Sequence, residues 1–519
     1  MIFDVAVVGA GPAGLAAAVH AANAGLSVVL VDAGTQPGGQ FWRHPEESAH
    51  LAAGSDEAEG HHDWKRFTEL RARLYAQEKS GAVAYWRNTQ VWLIEAKDHD
   101  GGRTTTLRLT PTIDGLPIDG LPVANGRTAT APAPDLVRAA HVILCPGGYD
   151  RQLPVPGWDL PGVMAAGGVQ ALLKGNRTAA GSVAVVGGSG PFLLPVATGL
   201  AHAGVKVAAI CEANSPLGWL RNVKGAVRAP EKAGEGLEYA AALARHRIPY
   251  KVRTAVTHIH GTDRVEAVTL SKLAADGSVV PGTGRRIACD VVALGWGFTA
   301  QLELVLATGA DTEVDVDGSL IAVVDDRLAT SVPGVSVAGE ATGVGGAAMA
   351  VVEGELAALC VAAASRTTGS RPADSSGELG KRIAALQKDR ARLRAFAVAM
   401  HQANPVPARW QDWLTPETTV CRCEEVRYGA LCNAHEQLGA DDARSLKSFA
   451  RPGMGWCQGR VCGFATAEIA ADFAGRPTSA EDLRAMSKRS LAAPVSLGKL
   501  ASLTFDEFDA TSAEKDPLP

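Results

Sequence analysis

The chain has 519 residues, of which 46% are hydrophobic and 20% are charged, and its formal net charge is −5. A chain of this length and composition is expected to fold into roughly two to four globular domains. The small negative charge gives no reason to expect nucleic acid or an anionic membrane surface as a partner. There is no secretory signal and no clean run of the ~20 apolar residues that a membrane-spanning helix needs. We therefore expect a cytoplasmic protein with no transmembrane segment.

The N-terminal segment predicts a strand, a glycine-rich turn, a helix over about residues 15–24, and a second strand that ends at Asp32. The G-x-G-x-x-G spacing permits a tight turn, close approach of the backbone to a pyrophosphate, and close packing of the helix on the sheet. A carboxylate at the end of the second strand accepts hydrogen bonds from ribose hydroxyls. The pattern indicates a dinucleotide site but does not by itself separate FAD from NAD. The three glycines are Gly9, Gly11 and Gly14.

The same plan recurs from residue 183, where a strand leads into Gly188 and Gly190 and a later strand ends at Glu212. The third glycine is replaced by Leu193, which should push the helix away from the sheet or fill the gap between them. NAD(P) is therefore a weakened prediction for this second site. Another nucleotide such as ATP, or a relic fold with an empty site, stays open. The carboxylate of Glu212 favours a dinucleotide with a ribose 2′-hydroxyl over one with a 2′-phosphate.

Two later segments favour FAD in the first site. Residues 142–148 read as a buried strand with a flexible turn, and residues 336–340 as a strand that ends in Glu340 ahead of glycines and a helix. They are similar to segments of the two-dinucleotide-binding-domain flavoproteins, the family of thioredoxin and glutathione reductases. The resemblance implies that Glu340 binds the ribitol chain of the flavin. The other residues that it assigns to the flavin site are Gly147, Gly339, Gly346 and Ala347.

One feature departs from the disulfide reductases of that family. Residues 1–365 contain no CxxC or CxxxxC pair, and their cysteines stand alone in the sequence. Dithiol chemistry is therefore not expected, and these cysteines are interpreted as core residues. They are Cys145, Cys211, Cys289 and Cys360.

The predicted fold class is α/β, with two Rossmann-like nucleotide-binding domains and a small, mainly α, C-terminal [2Fe–2S] domain. The basic residues of an amphipathic helix predicted over about residues 381–402 are interpreted as a solvated face. The expected boundaries are 1–160 with 290–365 for the FAD domain (including a β-rich insertion at about 82–135), 161–289 for the second nucleotide domain, 366–415 for a linker and helix, 416–475 for the cysteine module, and 476–519 for a tail.

Four of the nine cysteines form the sharpest motif in the chain, a CxC pair followed after 33 residues by a CxxxxC pair. Four thiolates at this spacing match a [2Fe–2S] cluster or a tetrahedral zinc ion. We favour the cluster, because zinc sites more often use CxxC knuckles and because a one-electron carrier suits a flavin. Cys432 lies outside the spacing and is interpreted as a core residue. The predicted ligands are Cys421, Cys423, Cys457 and Cys462.

The cysteine module resembles the bacterioferritin-associated ferredoxin type of [2Fe–2S] domain. Three segments, RPGMGWCQGRVC at 451–462, PGGQFWR at 37–43 and PVSLGKL at 494–500, are similar to one group of flavoproteins. The group comprises the FAD/[2Fe–2S] subunits of dye-linked L-proline dehydrogenase, D-hydroxyproline dehydrogenase, opine oxidase and hydrogen cyanide synthase. The resemblance covers nearly the whole chain and departs mainly at 96–135. It adds to the expected cofactor site the residues Gly38, Gly39, Gln40 and Arg43.

In this group a separate flavoprotein usually oxidises the amine. The resemblance therefore implies an electron-transfer subunit of an amino-acid, imino-acid or opine dehydrogenase that relays electrons through FAD and [2Fe–2S]. Its implied partners are an amine-oxidising FAD subunit, which supplies the electrons, and a small ferredoxin-like subunit. Two alternatives stay open: a self-sufficient NAD(P)H-dependent reductase that uses the unit at 183–212, and an assembly module with a relic flavin site.

Overall fold

Two β-sheets built mainly of parallel strands organise most of the chain, of which the computed structural model describes residues 2–47, 60–99, 102–112, 134–229, 231–367 and 377–501. The first sheet has seven strands and the second has five. Helices cover both sheets, which is the arrangement expected of parallel strands made of near-continuous apolar runs. The predicted α/β architecture with Rossmann-like units is therefore confirmed.

The first sheet opens with the predicted strand–turn–helix–strand unit. Its elements are β1 (Ile2–Val8), α1 (Pro12–Asn23), β2 (Val28–Val31), α2 (Trp64–Lys79), β3 (Val83–Trp86), β4 (Thr89–His99), β5 (Gly102–Pro111) and β6 (Leu136–Leu144). The strand order is β3-β2-β1-β6-β5-β4, and β1 runs parallel to both β2 and β6. Helix α1 begins earlier than expected, at Pro12, because the missing N–H of a proline is not needed in the first turn of a helix.

Strands β3, β4 and β5 complete this sheet rather than form a separate insertion over residues 82–135. Strand β3 pairs in parallel with β2 at one edge, and the hairpin of β4 and β5 pairs in antiparallel fashion with β6. The hairpin joins the sheet because its alternate apolar residues, including Leu107 and Leu109, are buried in the core. Residues 113–133 of the expected insertion lie outside the described residues.

The second sheet repeats the plan with five parallel strands. Its region contains β7 (Gly148–Asp150), β8 (Val163–Ala165), α3 (Ala166–Asn176), β9 (Val183–Gly188), α4 (Leu193–His202), β10 (Lys206–Glu212), α5 (Val223–Ala226), α6 (Glu231–Arg245), β11 (Tyr250–Val252), β12 (Thr254–His260), β13 (Ala267–Lys272), β14 (Arg285–Ala288) and β15 (Val291–Gly295). The order is β11-β10-β9-β15-β8. A boundary at residue 290 therefore falls too early, since β15 pairs with β9 and β8 of the second sheet.

The chain then returns to the first sheet. The elements are β16 (Phe298–Ala300), α7 (Glu303–Ala307), β17 (Thr312–Val314), β18 (Leu320–Ala322), β19 (Val335–Val337), α8 (Ala347–Thr367) and α9 (Glu378–Ala403). Strand β19 runs parallel to the last residues of β6, and β16 pairs in antiparallel fashion with β7. This return places the end of β19 beside the glycine-rich turn that follows β1.

Helix α8 is a core helix, although over Ala347–Ser365 it is long and apolar enough, by length and composition, to cross a membrane. It packs closely on α1: a Cβ added at Gly354 would lie 1.9 Å from the carbonyl oxygen of Ala13. Its two acids, Glu353 and Glu355, are buried. Both are paired with arginines, as a buried charge requires.

Helix α9 supplies those arginines, so the expectation of a solvated basic face is wrong for part of it. Arg382 Nε lies 2.7 Å from Glu355 Oε1, and Arg390 Nε lies 2.8 Å from Glu353 Oε1. Arg394 also pairs with a buried acid, Asp315. The predicted apolar stripe is present on the same helix, where Leu386, Leu393 and Ala397 are buried.

The C-terminal part of the described chain is mainly helical. Its elements are β20 (Thr419–Cys421), β21 (Val426–Arg427), α10 (Tyr428–Leu438), α11 (Ala443–Ala450), α12 (Gly463–Phe473), α13 (Ala480–Ser487) and α14 (Leu497–Ala501). A tail from residue 476 is not observed, because Leu483 and Met486 of α13 are buried in this module. The module also docks on the rest of the chain, where Thr419 Oγ1 donates to Asp159 Oδ2 at 2.7 Å. Residues 502–519 of the expected tail lie outside the described residues.

We expect Arg390→Ala to lower the free energy of unfolding by about 3 kcal/mol, because it leaves the carboxylate of Glu353, 1% exposed, without its cation. Urea denaturation followed by circular dichroism measures this loss. The control is Lys388→Ala, which truncates an exposed side chain of the same helix. Equal losses in the two variants would show that the buried pair contributes nothing specific.

Candidate flavin and cysteine sites

The first glycine turn is packed as tightly as its motif predicts. A Cβ added at Gly14 would lie 1.7 Å from the carbonyl oxygen of Gly9, and one added at Gly9 would lie 2.3 Å from that of Cys145. Gly9 also has a φ of +98°, which a side chain would strain. The turn therefore tolerates only glycine at these two positions, and helix α1 begins directly behind it.

The segment 37–43 folds back over this turn. The amide of Gly38 donates to the carbonyl oxygen of Ala10 at 2.9 Å, and a Cβ added at Gly39 would lie 2.8 Å from Cα of Gly11. Gln40 is exposed and accepts hydrogen bonds from Arg43 Nε and Nη2 at 3.1 and 2.9 Å. Gly38 and Gly39 thus pack against the turn that contains Gly9 and Gly11, and this surface of side-chain-free backbone is called the cradle. Arg43 lies at its edge.

Asp32 lies at the end of β2, as predicted. Its Oδ1 accepts from the amide of Ala10 at 2.9 Å and its Oδ2 accepts from the amide of Gly34 at 3.0 Å. Burial raises the pKa of this carboxyl, while the two amides partly offset the rise. The carboxylate is therefore held beside the turn, where it can accept from ribose hydroxyls.

Glu340 follows β19 and occupies the other end of the cradle. Its Oε1 accepts from the amide of Gly346 at 3.0 Å, directly before α8 begins at Ala347. Its Oε2 is buried and has no hydrogen-bond partner among the residues that the structure describes. Burial is the main cause that raises the pKa of Glu340 from 4.5 to about 7.

The turn after β6 lies next to this acid. Gly147 has a φ of +81°, and a Cβ added at Gly148 would lie 3.8 Å from Cβ of Glu340. On the other side, a Cβ added at Gly339 would lie 3.0 Å from Cβ of Ala13 in α1. These contacts place Gly148, Glu340 and Gly339 beside the start of α1, and the surface between the first glycine turn and Glu340 is called the flavin groove below.

These features fit a bound FAD. The bare glycine backbone and the N-terminus of α1 suit a pyrophosphate, and Asp32 suits a ribose. The partnerless oxygen of Glu340 suits a hydroxyl donor, because a buried carboxylate oxygen without a hydrogen bond is costly.

The second glycine turn differs from the first in its geometry. Helix α4 begins at Leu193, three residues after Gly190, whereas α1 begins directly after Gly11. Leu193 is 1% exposed and fills the space between helix and sheet. Glu212 is held as Asp32 is in the first unit, since its carboxylate accepts from the amides of Gly190 and Asn214 at 2.8 and 2.9 Å.

The chain's own backbone covers this second turn. Ser189 Oγ donates to the carbonyl oxygen of Asn404 at 2.9 Å, and Asn214 Nδ2 donates to that of Pro405 at 3.0 Å. A Cβ added at Gly190 would lie 3.7 Å from Cβ of Asn404. The segment that leaves α9 therefore lies where the phosphates of a dinucleotide would approach.

The four predicted ligand cysteines come together as two thiol pairs. The Sγ atoms of Cys423 and Cys457 are 3.3 Å apart, too far for a disulfide, whose S–S bond is about 2.05 Å. Cys421 forms a hydrogen bond with Cys462, which is the main cause that lowers the pKa of Cys421 to about 5. The amide of Gly453 also donates to Cys421 Sγ at 3.5 Å.

The two pairs are linked, since Cys421 also forms a side-chain hydrogen bond with Cys423. In the part of the chain that the structure describes, no set of three or more His, Cys, Asp or Glu side chains is arranged to hold a metal ion. Cys432 belongs to neither pair and is half-buried rather than a core residue. Cys421 and Cys462 are buried, whereas Cys423 is exposed at the surface.

The solitary cysteines are poor nucleophiles, as their isolation in the sequence predicts. Burial raises the pKa of Cys211 to about 12 and those of Cys289 and Cys360 to about 11. Burial raises the pKa of Cys145 as well. A thiol with a raised pKa carries little thiolate at neutral pH, so these side chains serve packing.

Sequence reasoning missed several residues that position the two sites. Glu353 Oε2 accepts from the amide of Gly339 and from Thr342 Oγ1, at 2.8 and 2.7 Å. Arg460, within the second cysteine pair, reaches Tyr149 of β7 at 2.8 Å. An acid inside an apolar helix was the one available signal for Glu353; nothing in the local pattern around Tyr149 identified its partner.

The fold and the first site define a flavin-dependent oxidoreductase. The chain matches the family described as pyridine nucleotide-disulphide oxidoreductase over residues 3–363. It therefore belongs to that family, and it is a FAD-dependent oxidoreductase.

Relatives extend the likeness beyond residue 363. The chain is 31% identical to an opine oxidase subunit of Agrobacterium tumefaciens (strain Ach5) over 515 residues, which cover 96% of this chain and 92% of that one. It is 28% identical to hydrogen cyanide synthase subunit HcnB of Pseudomonas aeruginosa over 88% of this chain and 90% of that one. The solved structure of L-proline dehydrogenase from P. horikoshii matches with a TM-score of 0.60 at 18% identity, covering 96% of this chain and 79% of that one. The last match shows a shared fold.

Gly39→Ala should abolish FAD binding, because the added methyl would lie 2.8 Å from Cα of Gly11 and close the cradle. The control is Gly81→Ala, which also places a side chain at positive φ but has no atom within 4 Å of the added Cβ. Flavin content after gel filtration measures the difference. Retention of flavin by the Gly39 variant would mean that FAD does not lie in this cradle.

Glu340 should make the FAD-free chain less stable as the pH rises from about 4.5 to about 7. Its raised pKa means that the folded chain binds more protons than the unfolded chain in this window, so deprotonation opposes folding there. Glu340→Gln should abolish this pH-dependent loss in the free energy of unfolding, which amounts to about 2 to 3 kcal/mol across the window. Thermal unfolding across pH 4–8 measures it, with the exposed Glu313→Gln as control. Parallel pH profiles for Glu340→Gln and the parent chain would contradict the prediction.

Proposed function

We propose that this chain is the electron-transfer flavoprotein subunit of a multisubunit amino-acid, imino-acid or opine dehydrogenase, and that it relays electrons through FAD and a [2Fe–2S] cluster. One observation carries the proposal: the loop of the second cysteine pair is hydrogen-bonded to β7, the strand that borders the Glu340 end of the flavin groove. A flavin in this groove and a cluster held by the four cysteines would therefore be neighbours. A bound flavin accepts two electrons together and releases them singly.

Four neighbouring thiols fit either a two-iron cluster or a single zinc ion. The cluster is favoured, because a one-electron carrier suits a flavin and zinc sites more often use CxxC knuckles. The amide of Gly453, which donates to Cys421 Sγ, favours thiolate at this position. Amide donors to sulfur also favour the reduced state of a cluster.

The geometry of the second unit argues against the alternative of an NAD(P)H-dependent reductase. Asn404 and Pro405 lie over the glycine turn, where their carbonyl oxygens accept from Ser189 and Asn214. A nicotinamide dinucleotide would have to displace this segment. The same contacts argue against ATP at this position.

The relatives supply the substrate class. The opine oxidase and hydrogen cyanide synthase relatives are both named as subunits, and this chain aligns with each over about nine-tenths of its length. We infer that a separate FAD subunit oxidises the C–N bond of the substrate and that a small ferredoxin-like subunit completes the complex. Cys423 is exposed, which gives an electron acceptor access to the cysteine site.

The test is an absorption spectrum of the anaerobically purified chain with iron and acid-labile sulfide assays, before and after NADH and then candidate amines with the partner subunit. We expect flavin bands, about two irons and two sulfides per chain, no bleaching by NADH, and bleaching when amine and partner are both present. Bleaching by NADH alone would replace the proposal with the reductase. Zinc without iron would remove the relay.

Cys457→Ser should lose the iron and sulfide while keeping the flavin, because it deletes one of the four thiolates of a cluster. Cys432→Ser is the matched control, since this cysteine belongs to the same module but to neither thiol pair. Iron assays on both variants decide the ligand set. Iron retained in the Cys457 variant, or lost in the Cys432 variant, would contradict the assignment.

A further inference from the structure

A buried polar bridge joins the cysteine loop to the flavin side of the molecule. Arg460 lies between Cys457 and Cys462, and its Nε is 2.8 Å from both Tyr149 Oη and Glu303 Oε1. The hydroxyl of Tyr149 in turn donates to the same carboxylate oxygen at 3.3 Å. One side chain of the loop thus binds two elements outside the cysteine module.

The bridge is largely buried, and a second cation, Arg489, lies near it. The Glu303 side chain is 4% exposed and that of Arg460 is 17% exposed. Arg460 Nη2 also donates to the carbonyl oxygen of Ala492 at 2.8 Å. Among the residues that the structure describes, Glu303 Oε2 has no hydrogen-bond partner, and Glu303 and Arg489 both line a cavity of about 50 Å³. An ion pair in such a place holds its geometry, because removing either partner leaves the other charge buried.

Tyr149 connects this bridge to the flavin groove. It is the middle residue of β7, and its neighbour Gly148 faces Cβ of Glu340. The cysteine loop is therefore connected to Glu340 in three steps. These are the hydrogen bond from Arg460 to Tyr149, one residue along β7 to Gly148, and the packing of Gly148 beside Glu340. A displacement of the loop would change the separation of the two sites.

We propose that Arg460 is a positioning residue that fixes the Cys457–Cys462 loop on the flavin domain, and that its charge, offset by Glu303, sets the reduction potential of the group held by the four thiolates. The potential part rests on the proposed function. A cation close to the thiolates stabilises the more negative, reduced state, and the neighbouring carboxylate opposes it.

The first arm of the test measures loop anchoring in the chain without metal. Hydrogen exchange of the amides between residues 457 and 462 should accelerate on the order of tenfold or more in Arg460→Gln, because the loop opens more often. Arg460→Lys should restore part of the protection. The control is Arg451→Gln, which removes an equal charge from a side chain 63% exposed in the same module and should leave loop exchange unchanged. Unchanged exchange in Arg460→Gln would overturn the positioning role.

The second arm measures the midpoint potential of the loaded chain by spectroelectrochemical titration, with iron content assayed beside it. Arg460→Gln should lower the potential and Glu303→Gln should raise it, since the two variants remove opposite charges. Tyr149→Phe should loosen the loop with little change in potential, because it removes no charge. Shifts of the same sign in the two charge variants would overturn the electrostatic role. A parent chain with zinc or no metal would refute both that role and the proposed function, while the exchange arm still decides the positioning role.

Discussion

The carboxylate of Glu353 connects the parts of this molecule that the sites depend on. One oxygen binds the amide of Gly339 and the hydroxyl of Thr342, and the other binds Arg390 of α9. A buried carboxylate is stable only when its oxygens are satisfied, so the turn that presents Glu340 and the position of α9 are fixed together. Without this acid, the turn would lose its internal acceptor and Arg390 of α9 would lose its counter-anion.

Helix α9 transmits that constraint to the rest of the chain. It lies beyond the residues that match the family description, yet its arginines enter the core of the matched region. At its far end His401 Nε2 lies 2.7 Å from the carbonyl oxygen of Val344, next to the flavin turn. The residues that follow then cover the second glycine turn and lead into the cysteine module. Helix α9 therefore contacts the flavin turn, and the segment that follows it covers the second glycine turn and leads into the cysteine module.

Much of the first site was predictable because its signals are local. The spacing of the glycines, the acid at the end of β2 and the strand before Glu340 are all read within short windows of sequence. Burial of Cys145, Cys211 and Cys289 also followed from their isolation, whereas Cys360 is half-buried. The reading of the basic residues of α9 as a solvated face failed in part, because Arg382 and Arg390 pair with acids that are distant in sequence, Glu355 and Glu353.

The remaining failures have the same physical origin. No window around Tyr149 contains Arg460, and none around Ser189 contains Asn404, since these contacts join segments hundreds of residues apart. The strand β15 was assigned to the wrong sheet for a related reason, because an apolar run predicts burial but not the strand beside which it lies. Sequence patterns predict well which backbone segments bind a ligand, but they predict long-range polar contacts poorly.

The second nucleotide unit shows what such contacts can do to an inherited fold. Its strand, glycines and terminal acid are all present, and the motif alone predicts a nucleotide site. In the folded chain Leu193 fills the gap left by a missing glycine, and the carbonyl oxygens of Asn404 and Pro405 accept hydrogen bonds from Ser189 and Asn214 beside the turn. The hydrogen-bonding groups of Ser189 and Asn214 are thus satisfied from within the chain. The segment that makes these contacts leaves α9, so the second unit also holds the end of the helix that leads into the cysteine module.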